Sequence, residues 1–134
     1  MGYWGIKLFE DDITCDAQDE FIKNLKMGRT PEEASESTLE RLLKGIDEPI
    51  TNLDSKYFDL VITLNRRYLA LIYIGLAATQ LEMNCLQDKV KRKAIEYIED
   101  GADLDFWGEE GGEKYEIRKK VLDELKQNLL NYKH

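Results

Sequence analysis

Apolar residues recur along this chain at intervals of three and four, and no stretch sustains the alternation of a β-strand. After Asp12, the residues Ile13, Ala17, Phe21, Ile22 and Leu25 fall on one face of a first helix, and Gly28 supplies a left-handed residue to end it. "TPEEASESTLERLLKG" opens a second helix. Thr30 is its N-cap, Pro31 takes the first helical position, and Glu33 completes a capping box. Leu39, Leu42, Leu43 and Ile46 then follow as one stripe. "DEPITNLD" reads as a loop, because Pro49 and Asn52 break helix, with Asp54 or Ser55 as the next cap.

From Tyr57 to about Met83 apolar residues surround the helix on most sides, the pattern of a buried central helix, either continuous or broken near Asn65. "NCLQDK" ends it, and Asp88 caps a fourth helix carrying Val90, Ala94, Ile95 and Ile98, with Gly101 beyond its end. A last helix begins after "GEEGGE" and aligns Ile117, Val121, Leu122, Leu125 and Leu129. The expected fold is therefore all-α: a single domain, residues 1–134, of about five helices around a buried central one. "MGYWGIKLFEDD" gives it a short aromatic lead, in which Gly2 and Gly5 turn the backbone and Trp4 and Phe9 lie against the helices.

Composition narrows the function. A chain of 134 residues with 43% hydrophobic side chains builds one real core. Its net charge of −8 repels phosphate backbones and anionic headgroups, which argues against direct nucleic-acid or membrane binding. The longest apolar run, Tyr68 to Ala78, is about half the ~20 residues that cross a bilayer. Cys15 and Cys85 stand far apart without CxxC spacing, and the start lacks the basic and apolar regions of a secretion signal. The expectation is a reduced, cytoplasmic protein, with nothing to indicate a homo-oligomer.

Reactive residues are few. The sole histidine is His134, the last residue, so a histidine-dependent nucleophile has no fixed base. Neither GxxxxGK[ST] nor GxGxxG occurs, and His/Cys metal ligands are missing. Asp103, Asp105, Glu109, Glu110 and Glu113 suggest calcium at first sight. However, Trp107 stands at the third ligand position of an EF-hand loop and Lys114 at the closing glutamate. Both cysteines sit among apolar helical residues with no activating charge pair. The sequence thus implies no catalytic residue, no metal and no cofactor.

Charge is spread unevenly. Residues 1–54 carry 6 basic and 13 acidic side chains, and 55–95 carry 7 and 3. Residues 96–134 carry 6 and 11, and within 96–116 Lys114 alone faces nine acids. One reading is a solvated set of loops and helix ends, neutralised in the fold by the basic middle of the chain. The other is a negative lobe that docks a basic protein through Asp100, Asp103, Asp105, Glu109, Glu110 and Glu113, with Trp107 as apolar anchor. Glu10, Asp11 and Asp12 form a second candidate patch, which charge–dipole stabilisation of the first helix also explains.

Several segments together resemble a bacterial family of unknown function whose members open MG-x-WG, then F-E-x-D, then an Asp and a D-x-F helix. Gly2, Trp4, Gly5, Phe9, Glu10, Asp12, Asp16, Asp19 and Phe21 fit that opening. Thr79, Gln80, Val90, Lys91, Ala94, Gly101, Asp103, Leu104 and Trp107 fit its second block, and "RKKVLDELKQNLL" its closing helix. The likeness covers most of the chain and is weakest over residues 46–72. Leu81 departs from an expected Trp, and Asn84-Cys85 from Gly-Arg. Genes of this kind occur near polymorphic-toxin systems. The resemblance therefore implies an immunity protein that binds and blocks a cognate toxin domain in contact-dependent growth inhibition or a related system, and it brings no catalytic residues. Nuclease toxins must be basic to hold a phosphate backbone, which suits an acidic blocker. The rival readings are a helical adaptor without a toxin and a carboxylate-dependent, metal-binding hydrolase.

Overall fold

The computed structural model describes residues 11–43, 55–102, 104 and 112–132, and over 55–65 the backbone alone. Among these residues five helices form and no strand runs: α1 (Asp12–Lys26), α2 (Pro31–Leu43), α3 (Ser55–Glu82), α4 (Asp88–Glu99) and α5 (Gly112–Asn131). The aromatic lead, Ile46 and the 47–54 loop lie outside the described residues.

Local chemistry fixes the ends of these helices. Asp11 is the N-cap of α1 in extended conformation, and its carboxylate accepts from the Thr14 amide and the Thr14 hydroxyl, each at 2.8 Å. At α2 the capping box is complete. The Glu33 amide donates to the Thr30 hydroxyl, and the Thr30 amide to the Glu33 carboxylate, both at 3.1 Å. Three helices finish alike, each turning through a left-handed residue: Gly28 (φ 91°), Asn84 (φ 57°) and Gly101 (φ 99°). After each, the next amide reaches back to the helix: Arg29 to Asn24 O, Cys85 to Gln80 O and Ala102 to Tyr97 O. Asparagine tolerates this conformation better than most residues, so Asn84 serves at a position where a glycine would also fit.

α3 is unbroken through Asn65, so the alternative of two helices is not taken. Residues 70–80 are buried on every side, and α1, α2, α4 and α5 all pack against this helix. Leu71, Ile72, Ile74 and Leu76 meet Phe21 from α1, Val90 and Ala94 from α4, and Leu122 and Leu129 from α5 in one core. Each of these side chains larger than alanine stabilises the fold by roughly 1.5–3 kcal/mol when fully buried. No helix among the described residues is long and apolar enough to cross a membrane.

Three local expectations are corrected. Gln87, not Asp88, is the N-cap of α4. It makes no side-chain cap, because its side chain donates to Cys85 O at 3.0 Å and its amide is taken by Gln80. α5 starts at Gly112, inside the glycine-rich stretch. Its buried stripe is Arg118, Leu122, Leu125 and Leu129, leaving Ile117 40% exposed. Ile117 lies five residues before Leu122, about 140° round the helix, whereas Arg118 is only about 40° away.

Candidate functional site

The acidic lobe begins where α4 ends, and there the fold brings cations to it. Arg66 on α3 pairs with the Asp100 carboxylate (Nε–Oδ2 3.3 Å) and donates to the Asp100 carbonyl at 3.2 Å. Lys126 on α5 pairs with Glu99 at 3.2 Å, and Lys93 with Glu96 at 3.8 Å. Three of the nine acids therefore have partners inside the chain, two of them from other helices. Glu113 and Glu116 are exposed on the first turns of α5. Asp103, Asp105, Trp107, Glu109 and Glu110 lie outside the described residues.

In the second candidate patch, Asp11 is 2% exposed and faces Thr14, so its carboxylate serves the helix and not the surface. Asp12 is exposed, while Glu10 lies outside the described residues. Asp12 is instead the first of a ridge along α1 with Asp16 and Asp19, all exposed. Burial, then the charges of Asp12, Asp19 and Asp11, raise the Asp16 carboxyl above the usual carboxylate range. A second acidic row, Glu32, Glu36 and Glu40, runs along the exposed face of α2. Their i, i+4 spacing is readable from the chain.

Neither cysteine is activated as a nucleophile. Burial, followed by Asp11, Asp19, Asp16 and Asp12, pushes the Cys15 thiol up, and burial alone pushes Cys85 up. Both therefore stay protonated at neutral pH. No group of three or more His, Cys, Asp or Glu residues among those described is arranged to hold a metal ion.

A concave feature lies between α2 and the head of α4. These helices both lean on α3 rather than on each other, leaving a groove of about 470 Å³ lined by Glu32, Ser35, Glu36, Leu39, Gln87, Asp88, Lys89 and Val90. Gln80, fully buried on α3, braces it from below. Its amide nitrogen donates to the Ser35 hydroxyl, and its oxygen accepts from the Gln87 backbone amide at 3.0 Å. Ser35 in turn donates to Pro31 O at 2.8 Å. No described protein family, curated protein or solved structure matches the chain.

Proposed function

We propose that this chain acts by binding, as an immunity protein that covers a cognate toxin domain, and that the toxin is basic and of nuclease type. The observation that carries this reading is an acidic surface beyond what the fold itself neutralises. Asp12, Asp16 and Asp19 on α1 and Glu32, Glu36 and Glu40 on α2 line exposed faces without a cation among the described residues paired to them. Such a field draws in a basic partner quickly and needs no chemistry from the chain. The protonated thiols agree with a binding role. The likeness of the opening and the Thr79–Trp107 block to toxin-associated bacterial proteins supplies the biological context, with the cytoplasm as the place of action.

The proposed docking residues are Asp100, Asp103, Asp105, Glu109, Glu110 and Glu113 around Trp107. The test is a rescue assay. The C-terminal part of the protein encoded immediately upstream is expressed with and without this chain, and surviving cells are counted. Killing that this chain prevents supports immunity, and loss of protection on charge reversal at Asp103, Asp105 and Glu109 supports the lobe. Killing that it fails to prevent, or no killing at all, overturns immunity to that neighbour and leaves the adaptor reading.

A further inference from the structure

We infer that the groove between α2 and the head of α4 is a docking site for a basic peptide segment of a protein partner, one that carries an apolar side chain flanked by Lys or Arg. This rests on the reading of the chain as a binder of a basic protein, and it adds a contact surface separate from the Trp107 lobe.

The groove exists for a structural reason. α2 and α4 are held apart because both are tied to one side chain, Gln80, through the Ser35 hydroxyl and the Gln87 amide. The width is therefore set before any partner arrives, which lowers the ordering cost of binding. Leu39 and Val90 make an apolar floor, at 8% and 1% exposure. An apolar side chain from a partner covers what little of them remains in contact with water.

Charge selects the occupant. Glu32 and Glu36 stand one turn apart on the α2 wall, both exposed and neither joined to a cation among the described residues. On the α4 wall Asp88 is already paired with Arg92 at 2.7 Å, and Lys89 is the one basic lining residue. The α2 wall thus offers two free carboxylates to a cation, while an acidic segment meets repulsion there. At the head of α4, Gln87 supplies no side-chain cap to the first turn. A basic, partly apolar peptide satisfies floor and wall together.

The test uses isotope-labelled full-length protein and a short peptide of lysine and leucine, with its glutamate-for-lysine counterpart as control. The expected result is saturable amide shifts at Ser35, Glu36, Leu39, Lys89 and Val90 with the basic peptide, none with the acidic one, and weakening in high salt. Glu32→Lys/Glu36→Lys, two surface changes clear of the core, should weaken binding about tenfold or more. Shifts confined to other surfaces, no binding of the basic peptide, or unchanged affinity in the double variant each overturn the groove. The rescue assay separates the two ideas. Protection by the wild type together with any of those peptide outcomes removes the groove and leaves the immunity reading standing. A wild type that does not protect, with the peptide still seated in the groove, does the reverse.

Discussion

Gly75 on α3 faces the backbone of Thr14 on α1 so closely that a Cβ built on it would stand 2.9 Å from the Thr14 Cα and 3.1 Å from its carbonyl oxygen. Thr14 is in turn locked, since its amide and hydroxyl both bond Asp11. The Thr14 Cβ lies as near, at 3.1 Å, and none of these atoms is the flexible end of a side chain that could give way. Replacing Gly75 by Ala gains roughly 1 kcal/mol of helix propensity. Forcing the two helices apart in a packed core costs about 1–3 kcal/mol and spreads to their neighbours. The clash wins, so Gly75→Ala should lower the thermal midpoint by several degrees and Gly75→Val by more. An Ala variant that melts higher than the parent would show that the helices separate freely here.

Gln80 holds α2 and the head of α4 with opposite ends of one amide. Gln80→Met keeps the volume but leaves the Gln87 amide and the Ser35 hydroxyl without this partner, at about 1–3 kcal/mol for a buried orphan. The variant should fold, melt lower, and exchange the Gln87 amide hydrogen much faster than the parent. Unchanged exchange at Gln87 would refute the brace.

Acid stability divides between two carboxylates on opposite sides of the usual range. Hydrogen bonds from Thr30, backbone first and then hydroxyl, hold the Glu33 carboxyl low. Its contribution is present above the unfolded pKa and disappears as pH falls through the lowered folded value. Asp16 is the reverse. Its folded pKa is raised, so its stabilising contribution is complete below the ordinary carboxylate value and is lost as pH rises through the folded one. At neutral pH Asp16 is therefore a net cost. Asp16→Asn should raise stability by a few tenths of a kcal/mol, the scale of like-charge pairs one helical turn apart. That gain should shrink in strong salt, which screens the neighbouring charges but not the burial, and vanish in acid. A destabilised Asn variant at neutral pH in dilute buffer would contradict the ridge electrostatics.

Both thiols should be sluggish. With Cys15 and Cys85 pushed above the ordinary thiol pKa by burial, iodoacetamide at neutral pH should label the folded protein far more slowly than the unfolded chain. Labelling at the unfolded rate in native buffer would return the cysteines to the list of reactive candidates.

The parts of the fold legible in the sequence are those set by a few neighbouring residues. Thr30, Pro31 and Glu33 announce the start of α2 because a capping box is a local exchange of hydrogen bonds. Gly28 and Gly101 announce the ends of α1 and α4 because their conformation excludes most other residues. What escaped the sequence is polar and buried. Asn24 bonds Glu20 O and Thr38, accepts from Arg29, and sits 2% exposed between α1 and α2. Gln80 and Arg118 are fully buried. Periodicity assigns such residues to the surface, and only partners on distant helices decide otherwise. The candidate site follows the same division. The clustering of acids is visible along the chain, but Asp100 meets Arg66 only through the packing of α3 against α4.

The ion pairs at the end of α4 alter what a basic partner could gain there. Asp100 already holds Arg66, and Glu99 already holds Lys126. A cation arriving at either must first evict the resident one, so the number of contacts made equals the number broken. Recognition at that end is a substitution reaction, close to neutral in its electrostatic yield. Among the described residues, the ridge of Asp12, Asp16 and Asp19 and the row of Glu32, Glu36 and Glu40 have no such tenant to displace. A positively charged surface would therefore gain more at α1 and α2 than at Glu99 and Asp100.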